Sequence, residues 1–435
     1  MNPLRAVKGM NDILPEEVAR WQRLEATYRE TVRRYGFREI RTPYLEPTSL
    51  FVRTIGEATD VVEKEMYSFT HRDEQLTLRP EATASAARAY VEHQVHGKEP
   101  ISKWWYLGPM FRAERPQRGR YRQFYQAGAE IFGDPGPGCD AELVDLLVTF
   151  FHALGIRDLD VLVNSIGGPE TRAAYRTALV AHLTPQKDGL SADSQRRLET
   201  NPLRILDSKD PRDREAIEGA PSLSDFLTDA DREHFASLQR YLTALGTPFR
   251  IEPRLVRGLD YYTRTLFEIQ GAKEKLGAGS TLVGGGRYDG MIAELGGPNV
   301  PAVGFASGVE RLLIATEAAE EAPALDAYVA PLGAAAIEHA LVLGRDLRAA
   351  GIAVEVDARG GSLKSQLRRA SALRCAVALV LGDAEIAGGV VQAKALAEHA
   401  QENVARDGVV AWVRARVDGA KAGASAPRAG DGGAT

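Results

Sequence analysis

The sequence predicts two domains: an α+β domain with an antiparallel strand pair and a helical insertion, then a smaller α/β domain. Three observations carry this. Two apolar, aromatic-rich runs, SKWWYLGPMFRAE and YRQFYQAGAEIFG, flank a short polar loop containing glycine, the pattern of a hairpin. Residues from about 168 to 247 turn polar, helix-rich and loop-punctuated. Beyond residue 326 strand and helix patterns alternate, which predicts parallel strands covered by helices. At 435 residues the chain also exceeds one ordinary core.

From the N-terminus, residues 16–37 read as an amphipathic helix, because Val18, Trp21, Leu24, Tyr28, Val32 and Tyr35 recur at steps of three and four. Pro15 suits its first turn, and Glu16 and Glu17 favour its positive end. A proline-interrupted extended segment, FREIRTPYLEPTSLF, leads to an alanine-rich helix at 82–95. After the hairpin come a helix at 140–154 and a buried strand, DLDVLVNSIGG. Past the insertion, strands return in FRIEPRLVRGLDYYTRTLFEIQG. A glycine-rich turn, GGGRYDG, then leads into AVGFASGVERLLIATEAA, a strand-to-helix passage. EEAPALD, 320–326, reads as a linker. Strands follow at 327–331, 352–357 and 376–381, with helices at 334–350 and 362–374. The closing stretch, 416–435, is poor in large apolar side chains and is expected to be disordered.

Charge narrows the function. A formal charge of −5 argues against a protein that coats nucleic acid, so any such contact needs a local basic surface. Cys139 and Cys375 form no metal spacing, which points to a reduced, cytoplasmic setting. No apolar run is long enough for a bilayer, and MNPLRAVKGMNDILP carries no secretory signal. There is no GxxxxGK[ST] phosphate loop, and His93 and His96 lack the further ligands of a zinc site. No metal fixed by protein ligands is expected.

Against this acidic background, Arg112, Arg115, Arg118, Arg120 and Arg122 fall within eleven positions, opposed only by Glu114. Five guanidiniums repel one another unless an anion sits among them, and arginine binds phosphate in a fork that lysine cannot copy. A solvated turn is the alternative. Downstream, alternation puts Phe124, Gln126, Gly128 and Glu130 on one strand face: a ring for stacking, an amide, open space and a carboxylate. Glu81 and Thr83 form either a helix cap or an ammonium site. Arg257 beside flexible Gly258, with Asp260, Tyr261 and Tyr262, offers a second polar cluster, and Arg311 at a helix start a further cation.

In order and spacing, TLRPEATA, FRAERPQRGRYRQFYQAGAE, VRGLDYYTRTLFE, GGGRYDG and AVGFASGVERL closely resemble histidyl-tRNA synthetases, a family of class II aminoacyl-tRNA synthetases. KGMNDILP and LDSKD add to the resemblance, which runs from about residue 5 to 415. It implies a class II catalytic domain at 1–325, built on an antiparallel sheet, with the insertion at about 168–247 gripping the tRNA acceptor arm. An α/β anticodon-binding domain at 326–415 would follow, with Lys364, Arg368 and Arg369 as RNA contacts. The implied activity is ATP-dependent ligation of L-histidine to histidine tRNA in a cytoplasmic homodimer, with Mg2+ and with Pro43 near the dimer interface.

The site residues follow by resemblance. Arg112, Arg257 and Arg311 would be catalytic, and Arg112, Arg120, Phe124 and Arg311 would hold ATP. Glu81, Ala82, Thr83, Arg112, Gln126, Gly128, Glu130, Arg257, Tyr261 and Tyr262 would bind histidine. Arg115 and Gln117 would meet the acceptor stem. A site built to hydrogen-bond two ring nitrogens can reject competitors by roughly 10⁴–10⁵, so no editing domain is expected. Tyr125, Ala82, Ala129 and Val283 depart from the residues usual at or near those positions without removing a charged reader. The rival reading is a synthetase-like regulatory subunit of ATP phosphoribosyltransferase, which typically erodes these arginines and lacks the C-terminal domain.

Overall fold

The structure is a computed structural model and describes residues 3–56, 59–256, 259–276, 280–316, 325–396, 398 and 400–425. The chain divides into two compact units, Met1–Ala319 and Glu320–Thr435.

An eight-stranded sheet organises the first unit. Its order is Arg38–Glu39, Ser102–Phe111, Gln123–Phe132, Ala302–Gly308, Thr281–Arg287, Thr263–Gln270, Asp160–Ser165 and Arg250–Ile251. The six long strands pair antiparallel, and only the short outer strands pair parallel. Alternation divides the sheet. On one face Ala127, Ala129, Ile131, Val303, Phe305, Val283, Phe267 and Ile269 form the main core. The helices Pro15–Arg34 and Pro137–Ala153 cover it, the first through Trp21, Leu24, Tyr28 and Val32. That first helix stops short of residue 37 because Gly36 takes φ +80° and redirects the chain.

The other face carries Gln126, Gly128 and Glu130, and the register sets Gly308, Ala306 and Gly304 opposite them. The glycine-rich turn expected at GGGRYDG is corrected here: Gly284, Gly285 and Gly286 lie inside the strand Thr281–Arg287. Two flanking strands supply the order that glycine lacks on its own. A buried ion pair anchors this strand's end. Arg287, fully buried, donates to Asp140 Oδ1 from Nη2 at 2.8 Å and from Nε at 3.0 Å. Thr265 Oγ1 adds a bond to Asp140 Oδ2 at 2.5 Å.

The 168–247 stretch holds the helices Pro169–Leu183, Ala192–Thr200, Arg214–Glu218 and Asp229–Ala244, joined by 3₁₀ turns. Leu238 and Leu242 of the last helix belong to the main core, so the segment is not a free-standing body.

The second unit has a mixed sheet in the order Val354–Val356, Ala327–Pro331, Val377–Leu381, Val390–Ala395 and Ala400–Ala405. The first three strands are parallel, as the alternation predicts. The antiparallel pair after them was not expected. Its inward positions, Val391, Ala393 and Ala395, are mostly alanine and give a weak period-two signal. Disorder from 416 is corrected in part: the helix Val409–Ser425 continues because Val409, Val413 and Val417 are buried along one face. Residues 426–435 lie outside the described residues, as does most of the 320–326 linker.

Candidate active site

The glycine-lined sheet face floors two adjoining cavities. One, of about 290 Å³, is bounded by Glu81, Thr83, Arg112, Gln126, Tyr261, Tyr262, Tyr288, Gly284 and Gly304. The next, of about 200 Å³, is bounded by Arg112, Arg120, Phe124, Gln126, Gly308 and Arg311. Three of the sequence-selected arginines thus meet at one place although Arg311 lies some 190 residues beyond the other two.

The hairpin strands Ser102–Phe111 and Gln123–Phe132 hold the arginine segment between them. Arg112 donates from Nε to the Pro80 carbonyl at 2.9 Å, and its guanidinium lies 5.5 Å from the Phe124 ring centroid. At the loop tip, paired backbone bonds between Gln117 and Arg120 and a φ of +73° at Gly119 close a tight turn. Arg115 and Gln117 are exposed there. Arg120 faces Glu114 at 3.6 Å. Arg311 is fixed through Nε to the Thr281 carbonyl at 2.6 Å, and burial pulls its pKa down. Its Nη2 is buried without a hydrogen-bond partner.

In the first cavity Glu81 caps the helix Thr83–Glu92. Its oxygens accept from the amides of Thr83 at 2.7 Å and Ala84 at 2.9 Å. Burial raises its pKa. Capping leaves lone pairs on a carboxylate, so cap and ammonium site are compatible here. Ala82 is buried beside it. Gln126 Oε1 is buried with no hydrogen-bond partner.

Glu130 does not line the cavity. Oε1 accepts from Thr83 Oγ1 at 2.8 Å and Tyr106 Oη at 3.0 Å, and Oε2 accepts from Tyr288 Oη. Burial pushes its carboxyl up to about 8, against lowering by those hydroxyls. Gly128 is needed beneath it, since a Cβ there would overlap the Tyr106 ring. The Tyr261 ring lies 4.6 Å from that of Tyr262 and 5.5 Å from that of Tyr288, between centroids.

Tyr106 and Tyr288 are the residues that reading the sequence missed. Tyr106 was legible in principle, as the strand partner of Gly128. Tyr288 was hidden by the reading of its motif as a turn. Arg257, expected at this site, lies outside the described residues.

A six-stranded antiparallel core with an arginine-bearing hairpin and a glycine-floored polar cavity is the catalytic fold of class II aminoacyl-tRNA synthetases. Residues 9–312 match the family model for histidyl-tRNA synthetase, and residues 326–416 match one for an anticodon binding domain. A histidine–tRNA ligase of Sorangium cellulosum is 58% identical over 405 residues, 93% of this chain and 95% of that protein. One from a Picosynechococcus is 49% identical, covering 93% of this chain and 96% of its own. The solved apo histidyl-tRNA synthetase of S. aureus is 34% identical with a TM-score of 0.80, over 95% of this chain and all of that one. The chain belongs to the histidyl-tRNA synthetase family.

Proposed function

We propose that this chain ligates L-histidine to histidine tRNA through a histidyl-adenylate. One observation carries the reading: along one run of cavity, a buried acceptor, Gln126 Oε1, and a buried donor, Arg311 Nη2, both lack partners. Buried polar atoms are nearly always paired, so each marks a ligand atom of opposite character. An ammonium suits the first, beside Glu81 and Thr83. A phosphate suits the second.

In the first step a histidine carboxylate oxygen attacks the α-phosphorus of ATP, and the bond to pyrophosphate breaks. The nucleophile is already ionised, so the task is to hold two anions in line. Arg112 serves the α-phosphate, Phe124 stacks on adenine, and Arg120 and Arg311 meet the outer phosphates, a preorganised field rather than a base. Arg257 keeps the role the resemblance gives it. Tyr262 and Tyr288 face the imidazole, with Tyr261 beside them and Glu130 setting Tyr288 from behind. In the second step a ribose hydroxyl of the terminal adenosine attacks the activated carbonyl and AMP leaves. Arg115 and Gln117, exposed at the loop tip, meet the acceptor stem.

Mg2+, when bound, supplies neutralisation of the phosphates. Among the described residues no three His, Cys, Asp or Glu side chains cluster as a metal site. Glu114, which lines the nucleotide cavity with Arg112 and Arg120, would be the carboxylate to share such an ion with the phosphates. A homodimer is supported by Tyr44 and Leu45, exposed beside Pro43, and by exposed Phe69, which shares with Leu45 a small three-stranded sheet of Leu45–Pro47, Glu74–Leu78 and Tyr67–His71. Arg368 and Lys364 lie exposed for RNA, while Arg369 is held by Glu355 at 2.5 Å. The chain's action belongs in the cytoplasm by the family resemblance; no helix of the described residues is long and apolar enough to cross a membrane. The regulatory-subunit alternative is not favoured, because Arg112 and Arg311 stand in the cavity and the anticodon-domain match is present. Pyrophosphate exchange assayed with each of the twenty amino acids should respond to histidine alone; exchange with none of them, or with another, defeats the proposal.

A further inference from the structure

The helical insertion is bonded directly to the loop that carries the two cavity tyrosines. Arg172, on the insertion helix Pro169–Leu183, donates from Nη1 to the Tyr262 carbonyl at 3.0 Å and from Nη2 to the Asp260 carbonyl at 3.4 Å. Asn201, at the end of the helix Ala192–Thr200, donates from Nδ2 to Asp260 Oδ1 at 2.5 Å. On its other side the Asp260 amide bonds to the Ile55 carbonyl at 3.2 Å. Residues 259–262 precede the strand Thr263–Gln270, so the sheet does not set their conformation. Arg172 is not a solvated surface cation: burial draws its pKa down, and its fork spans two backbone oxygens. The nucleotide end of the site, by contrast, rests on Arg112, Phe124 and Arg311, none of them on the insertion.

We propose that Arg172 and Asn201 are positioning residues for histidine: the insertion sets the 259–262 loop, and through it the Tyr261 and Tyr262 rings, in the geometry that fits the amino acid. This rests on the histidine-ligase reading above. Its signature is a defect confined to one substrate, because only the amino-acid end of the cavity hangs on these bonds.

The test uses the full chain, with pyrophosphate exchange followed against histidine and ATP separately and rates normalised by active-site titration. Arg172→Ala and Asn201→Ala should each raise the KM for histidine about tenfold or more and leave the KM for ATP within about twofold. Arg172→Lys reaches one carbonyl but not both and should recover part of the loss. An unchanged KM for histidine, a parallel rise in both KM values, or a lysine variant no better than alanine overturns the inference. Asn201→Ala, a smaller change at a half-buried site, keeps the question open to decision if Arg172→Ala fails to fold. A wild-type chain with no histidine-dependent exchange overturns both this and the functional reading. Normal wild-type exchange with unaltered variants overturns this inference alone.

Discussion

Glu130 holds a carboxyl in a place that water does not reach, and its behaviour with pH should show it. Burial raises it from the ordinary 4.5 to about 8. The folded state therefore keeps a proton that the unfolded chain has released above 4.5. Stability from this group is full below about pH 4.5 and is lost as pH rises to about 8. Glu130→Gln carries no such titration, so the variant should gain on the wild type across that window. At its steepest the gain is about 1.4 kcal/mol per pH unit, levelling above 8. Urea midpoints of both proteins from pH 5 to 9 would check this, and parallel curves would refute it. The three hydroxyls on Glu130 were only partly legible in the sequence. Thr83 was selected for its chemistry, but Tyr106 needs the register of the hairpin and Tyr288 lies just past the strand Thr281–Arg287, whose place in the sheet alternation alone does not supply.

The strands explain why glycine matters here. Gly304 lies directly across the ladder from Glu130, and a Cβ there would fall on the Glu130 carboxylate. Gly304→Ala should displace that carboxylate and cost about 1–3 kcal/mol, as overpacking of a close-packed interior does. Thermal unfolding measures the loss; a melting temperature equal to wild type would show that the sheet gives way freely. The hairpin was legible because two long aromatic runs flank a short loop, and the alternation 124, 126, 128, 130 names one face of it correctly. The glycine strand was not legible. Three consecutive glycines read as a breaker, and only neighbours distant in sequence override that. Asp140 and Arg287 were equally silent, since nothing local announces a partner so far along the chain.

At the scale of the molecule, each unit has hydrophobic clusters of its own, one set drawn from residues 21–315 and the other from 327–417. A chain ending at residue 319 should therefore fold and retain histidine-dependent pyrophosphate exchange, while charging histidine tRNA poorly. Comparing exchange with aminoacylation in the shortened and full proteins checks this, and equal loss of both would contradict it. In the sequence, the linker reading of EEAPALD and the strand–helix alternation after it suggest a second domain, whereas the antiparallel pair in the second unit escaped because alanine marks a buried face so faintly. The two-sided character of the large sheet has one more outcome. Dropping a single codon at Gln123 or Phe124 would turn Ala127, Ala129 and Ile131 toward the substrates and send Gln126 in among the helices. Every position past the missing residue would trade sides at once, so length changes in this chain can survive in its connecting loops and not in its central strands.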